Sequence, residues 1–349
     1  MKKNLIRITA FMLMLLMLLV SCGPAVPAVD ETTDTTEALQ TEADTSNDIY
    51  IERPDKEVKN ILMIGNSFCY YFVEELYGLA KADGYSLNVA NLYRSGRLVS
   101  EHWEKGVVGN EKNYEFYMVS DKYKGNRKAI TKAASVQSAL DYAKTELGAD
   151  WDVITLQQHF YPSMAVNYDK CVKDTQGYAK KLFDFVRGNN PDSTLYWHET
   201  WAFQVGYGVK EKYVEGATVP GETMPDVETQ TLTYENIKKT SQLVADDNGV
   251  TMIPSAEAWQ IARADARVGD NMCARLGING DLGDYYHDGD IGGGQYLNAC
   301  VWYEVLMGES CIGNTWRPTD YTLSEDMIAG LQEAAHAAVA AMYGPGYAK

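Results

Sequence analysis

Five short apolar runs alternate with six stretches of helical periodicity, and this alternation restricts the folds open to the chain more than any other feature. The runs span residues 60–64, 86–92, 152–156, 193–197 and 250–253. Each is apolar on both parities, as expected of strands buried on both faces. The first helical stretch carries Phe72, Leu76 and Leu79 on one face and stops at Gly84. The others run from about 134 to 147, 171 to 187, 228 to 247, 296 to 306 and 324 to 342. Strands that alternate with helices predict a mostly parallel sheet of about five strands with helices on both faces, a three-layer α/β/α fold. Two segments fit the scheme poorly. Residues 104–132, rich in Tyr, Lys, Asn and Gly, read either as a binding loop or as a peripheral hairpin. Residues 203–227, rich in Gly, Val and Pro, read as a loop or lid.

The N-terminal part is read separately from this fold. Lys2, Lys3 and Arg7 precede an unbroken apolar run from Phe11 to Val20, the layout of an export signal and too short for a spanning helix. The run ends in Leu19-Val20-Ser21-Cys22, which resembles the bacterial lipoprotein signal, where the cysteine becomes the lipidated first residue. Residues 1–21 are therefore expected to be the signal and Cys22 the lipidation site. Residues 22–57 read as an acidic, solvated tether: between Gly23 and Glu52 there are eight acids and no base. Such a protein would be exported and held to the membrane by lipid alone, facing away from the cytoplasm. The folded domain is expected over 58–345.

The net charge of −17, with no basic run longer than a pair, argues against a nucleic-acid partner. Of six cysteines, five remain if Cys22 carries lipid: Cys69, Cys171, Cys273, Cys300 and Cys311. Their wide spacing matches neither a zinc ribbon nor a dense disulfide framework, and one disulfide stays open.

Ser67 draws attention because it lies just past the first strand and at the start of the first helix. In open parallel sheets ligands bind beyond the carboxyl ends of the strands. A helix N-terminus there favours developing negative charge. A serine in that place is also an ordinary N-cap residue.

Gly65-Asn66-Ser67-Phe68 resembles the first block of the SGNH (GDSL-like) hydrolase superfamily. Asn91-Leu92-Tyr93-Arg94-Ser95-Gly96, followed by Glu101-His102-Trp103, resembles the second block of one bacterial branch, with Ser95-Gly96 where that branch usually has a Gly-Gly pair. Residues 151–158 resemble the third block and residues 296–304 the final helix. Asp284-Tyr285-Tyr286-His287 has the family's Asp-x-x-His spacing. The resemblance covers about residues 58–312, with its blocks in family order. It implies a flavodoxin-like sheet and a serine hydrolase without a cofactor, with Ser67 as nucleophile, His287 as general base and Asp284 as the acid that orients it; Asp288 or Asp290 is the alternative acid. The oxyanion donors it implies are the Ser67 N–H, the Gly96 N–H and a side-chain amide, Gln157 or else Gln158.

SGNH-like hydrolases commonly remove small acyl groups from carbohydrates, so the resemblance implies an esterase acting on a carbohydrate or a small ester, acetyl being the foremost acyl group. A lipase or phospholipase and a non-catalytic glycan-binding lipoprotein are the alternatives. His159 and His198 each follow an apolar strand and are candidates for substrate contact. Trp201 either forms an aromatic platform for a sugar ring or packs in the core, and His102 makes a structural hydrogen bond or, second, a substrate contact. No metal site is expected: there is no HExxH, and a set of His159, His198 and Glu199 lacks short-spaced ligands. Asp288-Gly289-Asp290-Ile291-Gly292 fails the EF-hand pattern.

Overall fold

The computed structural model describes residues 60–164, 168–202, 227–268, 293–319 and 322–349. The chain divides into two units, Met1–Asn47 and Asp48–Lys349, and every described residue belongs to the second. Its elements follow in the order β1 (Asn60–Gly65), α1 (Val73–Ala82), β2 (Asn88–Tyr93), the single turn α2 (Val99–Glu101), β3 (Tyr114–Val119), β4 (Lys128–Ala134), α3 (Val136–Tyr142), β5 (Val153–Gln157), α4 (Tyr168–Asn189), β6 (Thr194–His198), α5 (Val227–Asn248), β7 (Thr251–Ile253), α6 (Ser255–Ala264), α7 (Gly293–Met307) and α8 (Glu325–Tyr343).

The strands form one sheet in the order β4-β3-β2-β1-β5-β6-β7. The pairs β2–β1, β1–β5, β5–β6 and β6–β7 are parallel. These five strands coincide with the five apolar runs and take the flavodoxin-like order, in which the chain leaves β1 to one side and returns on the other at β5. The crevice between the carboxyl ends of β1 and β5 is thus the switch point where such sheets bind ligands. The insertion at 104–132 is the hairpin β3–β4, which adds two antiparallel strands beyond β2. The segment 203–227 lies almost wholly outside the described residues.

Alternation along each buried strand sends successive side chains to opposite helical layers. Ile61, Met63, Val89, Val153 and Ile253 pack with residues of α1, α6, α7 and α8. Leu62, Ile64, Leu92, Ile154, Leu156 and Trp197 pack with α3 and α4. A fully buried aliphatic side chain of this kind contributes about 1.5–3 kcal/mol. Every residue of α7 is buried, so this helix is the centre of its layer, with α1, α6 and α8 against it.

Its one carboxylate, Glu304, is fully enclosed and accepts a hydrogen bond from the Cys311 N–H at 2.9 Å. His336 Nδ1 of α8 lies 3.2 Å from both of its oxygens. Burial pushes the Glu304 carboxyl up from its ordinary range. Among the described residues Cys69, Cys171, Cys300 and Cys311 are free thiols. No helix among the described residues is long and apolar enough to cross a membrane.

Candidate active site

The carboxyl end of β1 is followed at once by a tight 3-10 turn, Ser67–Cys69, capped by the Asn66 side chain. An asparagine between strand and helix is a preferred cap because its amide oxygen satisfies an otherwise orphaned N–H. Asn66 Oδ1 accepts from the Phe68 N–H at 3.0 Å. The same oxygen accepts from Gln157 Nε2 at 2.6 Å, while Asn66 Nδ2 donates to the Arg97 carbonyl at 2.9 Å. One fully buried amide therefore joins the end of β1, the loop after β2 and the end of β5. The sequence signal for Asn66 is its position between strand and helix, where asparagine is a preferred cap.

Gly65 makes the junction with β5 possible. A Cβ at Gly65 would stand 2.8 Å from both Cγ and Cδ of Gln157 and 2.8 Å from Cys69 Sγ. Without one, the glutamine side chain crosses the end of β1. An amide nitrogen carries two hydrogens, so the bond to Asn66 leaves Gln157 one more to donate. The Gln157 Oε1 atom is buried and has no hydrogen-bond partner among the described residues.

Gln158 points elsewhere. Its Oε1 accepts from the N–H groups of Val99 and His159, and its Nε2 donates to Thr175. Of the two glutamines, Gln157 is the one beside Asn66.

Tyr93 ends β2 directly opposite Gly65 in the parallel register, and the Arg94 N–H donates to the Gly65 carbonyl at 3.2 Å. The chain then turns, with the Arg97 N–H bonded to the Arg94 carbonyl, and Gly96 takes φ +63° at the turn's third position. That conformation suits glycine and strains other residues. Arg97 continues inward: its Nη2 meets Glu111 at 2.7 Å and its guanidinium lies 4.9 Å from the centre of the Tyr114 ring. His102 is buried, with Nδ1 3.0 Å from the Tyr114 hydroxyl. Burial, helped by the nearby Arg97 charge, pulls its imidazole down to about 3. His102 is thus a neutral structural partner of the loop.

Ser67 is 4% exposed, and its carbonyl accepts from the Tyr70 N–H at 3.1 Å. The next residue, Phe68, packs edge-on against His159 with ring centres 5.0 Å apart and against Trp201 at 4.7 Å. Trp201 in turn stacks on Trp259, 4.8 Å away and 2° from parallel. This corrects the expectation of a sugar platform at Trp201: the ring is fully enclosed and serves as packing between Phe68 and α6.

His198 is also enclosed, with Nε2 3.0 Å from the Ser255 hydroxyl, and burial pulls it down to about 3. His159 and His198 do border one cavity, with Gln158, Tyr168, Thr200 and Thr240 among its other walls. The space between these walls is narrow, with room for about a single water. Substrate contact at His198 would require this packed core to open.

Glu199, which follows β6, is 1% exposed and accepts from backbone N–H groups of Ala256 and Glu257 at the start of α6. Burial, reinforced by the neighbouring Glu257 carboxylate, pushes it up to about 8. No group of three His, Cys, Asp or Glu able to hold a metal occurs among the described residues. Asp284 and His287, with Asp288 and Asp290, lie outside the described residues, in 269–292.

The model of the family described as "Domain of unknown function (DUF4886)" matches residues 60–338. A crystal structure of a DUF4886 family protein from Bacteroides uniformis is 25% identical, with a TM-score of 0.62, covering 83% of this chain and 97% of its own. A protein described as a GDSL-like lipase, from Parabacteroides merdae, is 12% identical with a TM-score of 0.41, covering 73% of this chain and 99% of its own. A phospholipase A1 from Streptomyces albidoflavus is 11% identical with a TM-score of 0.32, covering 66% of this chain and 95% of its own. Among curated proteins none matches the chain.

The raised carboxyl of Glu199 makes stability pH-dependent with a definite sign. Unfolded, the group ionises near its ordinary value of 4.5; folded, it holds its proton to about 8. Its contribution is therefore fully present below 4.5 and is lost as pH rises through about 8. Urea denaturation across pH 5 to 9 should show this fall in the wild type and a flatter profile in Glu199→Gln. Parallel profiles would show that Glu199 does not titrate in that window.

Proposed function

We propose that this chain, which belongs to the DUF4886 family, is a serine hydrolase of carboxylic esters in which Ser67 is the nucleophile. The observation that carries this reading is the position of Ser67. It opens the helical turn at the carboxyl end of β1, at the switch point of the sheet. The Gly96 turn and the Gln157 amide are tied to the adjacent Asn66 side. The resemblance of the sequence blocks to SGNH (GDSL-like) hydrolases supports the same assignment, because three of those blocks meet at this one amide.

In this mechanism the Ser67 oxygen attacks the ester carbonyl and His287 takes its proton. Asp284 holds the imidazole in the productive tautomer and stabilises its charged form. The tetrahedral oxyanion receives hydrogen bonds from the N–H groups of Ser67 and Gly96 and from Gln157 Nε2. Collapse expels the alcohol, which takes the proton from His287. Water, activated by the same base, then releases the acid and restores the serine.

The start of α7 supports the reach this requires. A Cβ at Gly294 would meet the Trp259 ring, which stacks on Trp201, and Trp201 packs against Phe68. His287 precedes Gly293 by six residues, a span of up to about 20 Å when extended.

The substrate we assign is an acyl ester of a carbohydrate, acetyl foremost, outside the cytoplasm. Export and lipid anchoring through Cys22, with 22–57 as tether, suit a polymeric substrate and follow from the N-terminal pattern. The near-enclosure of Ser67 favours one rival, a glycan-binding protein without catalysis on the same fold.

p-Nitrophenyl acetate separates the two. Wild type should hydrolyse it, and Ser67→Ala should lose at least about 100-fold in rate; equal rates would end the esterase reading. The anchor has its own test. Wild type expressed in a bacterial host should partition with the membrane fraction, and Cys22→Ala should be released from it. Identical partitioning of the two would remove Cys22 as the lipid site.

A further inference from the structure

The hairpin β3–β4 adds Tyr117 to a cluster of tyrosines beside the Ser67 turn that the proposed chemistry does not use. Tyr70, three residues after Ser67, is its centre. Tyr93 lies 4.6 Å from it at 34°, and Tyr71 and Tyr117 meet it edge-on at 4.9 and 5.1 Å. All four rings are half-buried. Arg127, at the base of β4, covers Tyr70 with its guanidinium 3.9 Å from the ring centre and is held there by Glu74 at 2.5 Å.

The register fixes this cluster relative to the nucleophile. Tyr93 is opposite Gly65, two residues before Ser67, and it is followed directly by the turn that presents Gly96. Neighbouring strands are about 4.8 Å apart, so the Tyr93 backbone lies a single strand spacing from the end of β1. Tyr117 reaches the same face because it pairs with Asn91 on β2, two residues before Tyr93.

We propose that Tyr71, Tyr93 and Tyr117, with Tyr70 as their clamped centre, form the platform that takes the pyranose ring of the substrate. The proposal rests on the ester-hydrolase reading only for the identity of the neighbouring site; its own claim is sugar binding. Tyrosine rings offer flat apolar faces with a hydroxyl at one end, which matches a pyranose: an apolar C–H face rimmed by polar oxygens. A long acyl chain would be better served by a surface without phenol hydroxyls. A nucleotide would demand free cations, whereas Arg127 is spent on Glu74 and Tyr70 and the chain carries a net charge of −17. The platform replaces the enclosed Trp201 as the aromatic partner of the sugar.

The test separates sugar binding from catalysis. Ser67→Ala protein is titrated calorimetrically with methyl tetra-O-acetyl-glucopyranoside, alone and with Tyr93→Ala, Tyr71→Ala or Tyr93→Phe added. The wild-type protein is assayed in parallel on p-nitrophenyl acetate. Either alanine should weaken sugar binding about tenfold, and Tyr93→Phe should change it less than about threefold. Thermal unfolding of each variant identifies any that fails to fold, and the phenylalanine variant keeps the ring in place. Absence of binding to the Ser67→Ala protein, or binding indifferent to both alanines, overturns the platform even if the protein hydrolyses esters. Tyrosine-dependent binding in a protein that hydrolyses no ester upholds the platform while ending the esterase reading.

Discussion

The hydrogen bonds of one buried amide, Asn66, hold the candidate site together. Its oxygen accepts from the turn that begins at Ser67 and from Gln157, a residue 91 positions away, and its nitrogen reaches the carbonyl of Arg97. These bonds form away from water, where a polar group left without its partner costs about 1–3 kcal/mol. Losing any one contact therefore penalises both ends, and the three segments hold one another in place. The precision comes from backbone and amide geometry rather than from loop packing.

Two glycines permit that geometry in different ways. Gly65 gives up its side chain so that Gln157 can cross over β1, and Gly96 supplies the left-handed backbone that turns the second loop. Around them several buried polar groups are paired or capped. His102 leans on Tyr114, His198 on Ser255, and Glu199 on the first N–H groups of α6. His102 and His198 are thus held by hydrogen bonds inside the framework.

Much of this was legible in the sequence, for physical reasons. Apolarity on both parities identified all five parallel strands to within two residues at either end, because a strand covered on both faces has no polar side to blur the pattern. The hairpin β3–β4 was left open between two readings, since half-exposed edge strands with Tyr and Lys resemble loops in composition. The ten-residue α6 was not foreseen; alanines dilute its apolar stripe. Trp201 misled because burial of a tryptophan depends on neighbours from distant elements, here Phe68 and Trp259. The choice between Gln157 and Gln158 depended on which face of β5 looks toward Asn66. Parity decides it only once Val153 is known to share a layer with α1. His287 and Asp284 rest on spacing and resemblance.

The central claim is that the Asn66 junction makes Ser67 a reactive alcohol. Labelling of the purified protein with a fluorophosphonate, followed by peptide mass mapping, tests it most directly. The account predicts a single phosphonyl adduct on the peptide containing Ser67 in the wild type, and none in an Asn66→Ala variant that remains folded. A wild-type protein that takes up no label, or takes it up at another serine, would contradict the account.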